Sequence, residues 1–346
     1  MLFYNVSCYN GNKVVGYTTV PTSTNAKPNI VVGASTIYED ILIKNNVYQN
    51  LNPDTDGKRL IATDDFNGYL TVWNSLPGVS KAAPSVAFKL YKFDPWDCDL
   101  YNGKVAIAGK GGNSGGKLAI WNSVPQTKVK PDYYYAGSIG TVSIQDLVGV
   151  AMDDKYLYVA DKNTRKTYVF EGMPTATSSP VYTINHAGRI NVNNGKLAIA
   201  DSTAWIYDVD KLSYGDSYAT NIKEAYVSEF NGQGKIVKNK RDITSVNEVM
   251  VGDKGELILT EMNYDQVLYW NSIADAKSLK QATIIGFNDE TNYSSYDLGV
   301  NSNAPISVPS ASKGTTIMPC TLAYDGTNLW VGEFKFSSRL LLFQKK

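Results

Sequence analysis

Asp64, Asp161, Asp201, Glu261 and Glu333 share one recurring position, each closing a short apolar run that ends in Ala, Thr or Gly. Repeated radially, such carboxylates would form a ring of hard oxygen donors. A ring of that kind suits Ca²⁺, which could polarise a carbonyl or activate a water for hydrolysis. The local alternative is an acid at a tight turn, accepting hydrogen bonds from amides two residues on and fixing a hairpin. Because an acid recurs in nearly every copy while a metal site needs asymmetry, the turn role is the expected one. Gly109 takes the equivalent place in one further copy.

Two other segments carry oxygen donors. Asn52, Asp54 and Asp56, followed by Gly57, match the first half of a Ca²⁺ loop, but the twelfth position is Thr63, where a bidentate Glu belongs. Equivalent places elsewhere hold Asp153-Asp154, Asn193-Asn194-Gly195 and Asp325-Gly326, which read as hairpin turns, so a turn is expected here too. Asp94, Asp97 and Asp99 surround Trp96 as the next candidate for a cation, with an exposed loop as the expected reading. The single histidine, His186, excludes any multi-histidine metal centre and is the only base a serine triad could use. No G-x-S-x-G elbow accompanies it, so an ordinary loop histidine is expected. Cys8, Cys98 and Cys320 are odd in number and lack ligand spacing. Reduced thiols are expected, with a Cys8–Cys320 bridge conceivable only if the terminal units meet.

These residues are positioned by a repeat. Val72-Trp73-Asn74-Ser75-Leu76-Pro77, Ile120-Trp121-Asn122-Ser123-Val124-Pro125 and Tyr269-Trp270-Asn271-Ser272-Ile273 are copies of one motif. The wider unit is a turn, a strand ending in the acid, a polar turn and a second strand. It recurs at 58–77, 102–125, 154–174, 194–212, 254–273 and 325–343, with a seventh copy at 2–21. A period of roughly 40–50 residues signals a solenoid, a propeller or an array. Four-residue runs such as Leu157-Tyr158-Val159-Ala160 and Leu329-Trp330-Val331-Gly332 are too short for helices and apolar throughout, hence strands buried on both faces. Outer pulses (85–88, 133–137, 282–286) and further pulses (149–152, 322–324) complete four antiparallel strands per unit. The fold class is all-β, a β-propeller spanning 1–346 as one domain, with insertions near 213–243 and 287–315. Seven hairpins favour seven blades; six blades with the N-terminal hairpin as closure is the alternative.

Leu157-Tyr158-Val159-Ala160-Asp161-Lys162-Asn163-Thr164-Arg165, with Tyr168-Val169-Phe170, resembles the repeat of the NHL-type β-propellers. The resemblance extends to related six- or seven-bladed propellers and covers essentially the whole chain, although only this copy carries the Asn-x-Arg turn. It implies the propeller superfamily, within which lactonases and related hydrolases hold a cation in the funnel.

Lys+Arg and Asp+Glu are both 33, so no global field draws nucleic acid or an anionic membrane. The basic run 235–241 is expected to be a solvated loop or strand edge. No apolar stretch reaches eighteen residues and no signal-peptide pattern opens the chain, which implies a cytoplasmic protein or one within a particle or surface assembly. Tyr133, Tyr134, Tyr135 and Trp96 are candidates for a binding surface, since Tyr and Trp supply stiff amphipathic contact area. The expected function is therefore non-enzymatic: a protein-interaction or assembly module with no resident cofactor. The alternatives are a Ca²⁺-dependent hydrolase or lactonase working through the acidic ring, and a carbohydrate-binding propeller.

Overall fold

The computed structural model describes residues 13–16, 30–32, 51–65, 68–78, 82–90, 93–111, 115–230, 236–264, 266–285, 319–333 and 339–344. Five four-stranded antiparallel sheets succeed one another along the chain. From the innermost strand outward, the first is Leu51–Thr55, Leu60–Asp64, Tyr69–Trp73 and Val86–Lys89. The second is Asp94–Tyr101, Lys104–Lys110, Lys117–Trp121 and Tyr133–Ala136. The third runs Leu147–Met152, Tyr156–Asp161, Lys166–Glu171 and Tyr182–Ile184. The fourth is Arg189–Asn193, Lys196–Asp201, Thr203–Asp208 and Thr220–Ile222. The fifth is Val246–Val251, Leu257–Glu261, Gln266–Trp270 and Thr283–Ile285.

A sixth sheet is shared between the two ends of the chain. Pro319–Tyr324, Asn328–Glu333 and Arg339–Gln344 are extended by the N-terminal strands Ile30–Val32 and Lys13–Gly16, the latter also running parallel to Arg339–Gln344. The six innermost strands touch in ring order, and Pro319–Tyr324 closes on Leu51–Thr55. The expectation of seven blades treated the N-terminal hairpin as a blade of its own. Among the described residues its strands add to the C-terminal sheet, beside five four-stranded sheets.

The core lies between sheets. Ile61, Leu70 and Val72 of the first pack on Val105, Ile107 and Trp121 of the second, and comparable clusters fill each junction through to the sixth. Second strands are therefore covered on both faces, as in the fully buried Leu60–Asp64 and Tyr156–Asp161. Near the axis there is room for little side chain: a Cβ on Gly149 would stand 2.1 Å from the Gly188 carbonyl oxygen.

The repeated tryptophan has a definite task. Trp73, Trp121 and Trp270 bury their rings at the end of the third strand and donate from Nε1 to the carbonyls of Ala82 (3.0 Å), Val129 (3.2 Å) and Lys280 (3.0 Å). Each pins the connection to the outer strand, satisfying a backbone oxygen while burying a large apolar surface. The serine after Trp270-Asn271 serves as N-cap of the short helix Ile273–Lys277, accepting from the Asp275 amide.

Of the insertion near 213–243, the first part is a 3-10 segment, Val209–Tyr218, inside the fourth sheet. The rest is a hairpin, Glu224–Phe230 with Ile236–Asp242, between the fourth and fifth sheets. The basic run expected as a loop or strand edge falls largely on that hairpin, with Lys240 paired to Glu224 at 2.9 Å. The insertion near 287–315 lies outside the described residues. Among the described residues no helix is long and apolar enough to cross a membrane.

Candidate functional site

Polar side chains on the innermost strands tie one sheet to the next. An Asp97 oxygen accepts from the Val150 amide at 2.9 Å and an Asp99 oxygen from Met152 at 3.1 Å, joining the second sheet to the third. Asp54 accepts from the Leu100 amide, joining the first to the second. The Asn191 oxygen accepts from Val251, and the Asn193 amide donates to the Val251 carbonyl, joining the fourth to the fifth. Adjacent inner strands do not pair as β-ladders, so their inward-turned backbone groups need side-chain partners.

Arg189 sits at the meeting point. Only 3% exposed, it donates from Nη2 to the Asn52 oxygen at 2.9 Å and from Nη1 to the Asn247 and Cys320 carbonyls at 3.4 and 3.5 Å. Its Nε lies 3.8 Å from Glu248 and its guanidinium 5.1 Å from the centre of the Trp96 ring. One residue of the fourth sheet thus touches the first, second, fifth and sixth. Burial pushes Asp54 and Asp97 up to about 7, with Arg189 holding Asp97 down in part. Asp99 and Glu248 are raised as well, by burial first and by neighbouring carboxylates second. Asp54 and Asp99 keep some solvent contact although protein surrounds them, the position of groups lining a narrow axial space.

The acids of the recurring position meet different partners. Asp161 fixes its turn: its carboxylate accepts from the amides of Gln145, Asp146 and Asn163 at 3.1, 3.1 and 2.9 Å. Asp201 holds Nδ1 of His186 at 2.8 Å, with the imidazole stacked on Trp205 at 3.8 Å between ring centres. Glu261, fully buried, pairs with Arg241 at 2.5 Å. Asp64 is fully buried at the end of its strand, and the side chain of Glu333 lies outside the described residues. Among the described residues no three His, Cys, Asp or Glu side chains converge as a metal site.

Asn52, Asp54 and Asp56 do not form a loop. Asn52 and Asp54 lie on the innermost strand and brace the ring. Asp56 accepts from the Lys58 and Arg59 amides and pairs with the Arg59 guanidinium at 2.8 and 2.6 Å. The run 94–99, expected as an exposed loop, is also an innermost strand, because axial carboxylates can accept amides from the next sheet. Trp96 is consequently half-buried, between Lys110 (3.7 Å) and Arg189, rather than presented on a surface. Cys98 and Cys320 are buried, their thiols pushed up by desolvation, Cys320 to about 12; Cys8 lies outside the described residues.

Tyr133 and Tyr134 are exposed on an outer strand, while Tyr135 donates its hydroxyl to the Pro174 carbonyl at 2.8 Å. Tyr134 borders an open groove of about 560 Å³ at the rim between the first and second sheets, floored by Phe88, Leu90, Phe93 and Trp121. Lys89, Lys128 and Lys130 edge it. Sequence reading singled out the tyrosines but missed the groove, whose floor comes from two sheets that only ring packing brings together.

With its ring of four-stranded antiparallel sheets, the chain is a β-propeller. No protein-family model and no curated protein matches it. Among solved structures it is similar to the glutaminyl cyclase of Myxococcus xanthus, with 13% identity over 73% of this chain and 90% of that one, and a TM-score of 0.38. It is also similar to a chain of a mitotic checkpoint complex, with 12% identity over 99% and 98% and a TM-score of 0.46.

The fate of the acids sets an expectation for metals. A cation that binds only the folded chain raises its unfolding midpoint. Since Asp161, Asp201 and Glu261 already serve turn amides, a histidine and an arginine, midpoints in Ca²⁺, Mg²⁺ and EDTA should coincide within about a degree. A rise in Ca²⁺ that Asp161→Ala abolishes would move the hydrolase alternative ahead of the interaction reading.

Proposed function

We propose that this propeller is a protein-interaction and assembly module that uses its rim. The observation that carries the reading is the groove between the first and second sheets. It has an apolar floor and exposed Val129 and Tyr134 at its lip, on the outside of a disc whose axial polar groups are engaged in bracing. Large exposed apolar surfaces edged by polar residues mark interaction sites. Aromatic side chains on outer strands supply contact area with little conformational freedom to lose.

A photo-crosslinking residue placed at Val129 tests the reading, with Val181, also exposed but on the third sheet, as control. In cells expressing the protein, discrete adducts should form from position 129 and not from 181. Equal adduct patterns from both positions, or none from either, would remove the groove as an interaction site.

A further inference from the structure

The Val209–Tyr218 segment forms a knob on the rim of the fourth sheet. Tyr214 and Tyr218 are each 59% exposed, the most exposed large apolar side chains among the described residues, and their rings lie 4.8 Å apart. They are held in place rather than waving. Leu212 of the same segment is buried in the core between the third and fourth sheets, Tyr207 donates its hydroxyl to Asp216 at 3.0 Å, and Ser217 donates to the Tyr214 carbonyl at 2.8 Å. Gly215 sits between the two tyrosines at φ 62° and ψ −152°, a kink open to glycine and strained for other residues, which brings both rings to one side. Such a pre-set aromatic pair loses little freedom on being covered.

Knob and groove are opposite in chemistry. The knob carries Asp210 and Asp216 against Lys211; the groove carries Lys89, Lys128 and Lys130, with Asp132 outside its lining. Within its own segment the knob sums to one negative charge, whereas the charged lining of the groove is all lysine. In ring order the groove lies between sheets one and two and the knob on sheet four, so they face away from each other and cannot meet within one chain.

We infer that the occupant of the rim groove is the tyrosine knob of a second copy of this chain, giving head-to-tail association of propellers; this rests on the rim-interaction reading above. Because groove and knob are different patches, the contact is heterologous and each added copy presents a fresh groove and a fresh knob. Two tyrosines bury roughly 300–500 Å² between them, well under the ~1,200 Å² of a stable pair. Each contact is therefore weak, and assembly grows with concentration and falls with salt.

Sedimentation velocity from micromolar to near-millimolar protein tests this. Wild type should show an average mass that climbs beyond dimer and drops as salt is added. Tyr214→Ser with Tyr218→Ser removes the knob, and Val129→Asp with Tyr134→Asp spoils the groove. All four sites are exposed, so circular dichroism and thermal midpoints should match wild type. Each double variant alone should remain monomeric, yet an equal mixture should stop at a one-to-one dimer, because only one groove and one knob remain between them. A monomeric wild type at every concentration, a monomeric mixture, or variants that associate like wild type would overturn the proposal. Those results would leave the rim-interaction reading standing if position 129 still crosslinks a different protein, and an adduct of twice the monomer mass ties the two together.

Discussion

Arg189→Met should be the most damaging single substitution in the described part of the ring. Methionine approximates the length and apolar stem of arginine, so the change isolates the loss of the guanidinium. Gone with it are the donors to Asn52, Asn247 and Cys320 and the positive charge beside Asp97 and Glu248. Removing one partner from a buried charged network leaves the others uncompensated and costs roughly 3–5 kcal/mol, more than a typical surface pair by several-fold. For a domain of this size the midpoint should fall by roughly 5–10 °C. The loss should be greater at pH 8 than at pH 5, because the orphaned carboxyls can escape their charge by taking up protons in acid. Glu248→Gln placed on top should restore part of the loss at pH 8. Differential scanning calorimetry on the three proteins decides. A variant within a degree of wild type would show that the inner strands hold the ring without the arginine, and a loss equal at both pH values would remove the electrostatic explanation.

Arg189 carries no signal in the sequence, and the reason is physical. Second and third strands were legible because their apolar runs are dictated by burial on both faces, and every hairpin they implied at 58–77, 102–125, 154–174, 194–212 and 254–273 is present. Innermost strands were less legible, since they mix buried polar and apolar residues. Asn52-Pro53-Asp54 reads as half a calcium loop and Asp97-Cys98-Asp99 as an exposed turn, when both are axial strands. A usable signal was present: Asn52-x-Asp54 and Asp97-x-Asp99 occur at the same place in two successive units, and alternation of period two puts both polar residues of each pair on one face. The partners of those residues belong to neighbouring sheets about fifty positions away, which no local pattern encodes. The N-terminal hairpin was illegible for a related reason, because its described strands have the repeat's pattern but pair with a strand from the other end of the chain.

Stability should fall as the pH climbs from about 4 to about 7, contrary to the behaviour of a protein held by salt-bridged carboxylates. Asp54 titrates near 3.8 when free and near 7 in the folded ring, and Asp97 does likewise, both chiefly through burial. Below 3.8 folded and unfolded chains both keep the proton, and the protonated carboxyl costs the fold little. Between 3.8 and 7 the unfolded chain releases it while the ring retains it, so each rise in pH favours unfolding; above 7 both states are ionised and the slope vanishes. Asp56 and Asp208, depressed by Arg59 and by Lys196 and Lys211, act in the opposite sense, but their contribution is lost only as the pH falls below the normal carboxylate range. The window from about 4.5 to about 7 therefore reports the axis. A tenfold difference between the folded and unfolded acidity constants is worth about 1.4 kcal/mol, enough to move the midpoint by a few degrees. Asp54→Asn supplies the discriminating measurement: the amide oxygen can still accept from Leu100 but cannot ionise. Its midpoint should match wild type at pH 4.5, exceed it at pH 8 and show a shallower slope between. Parallel curves for the two proteins would mean that Asp54 is ionised in the folded ring at neutral pH, and that the axial space admits enough water to keep it so.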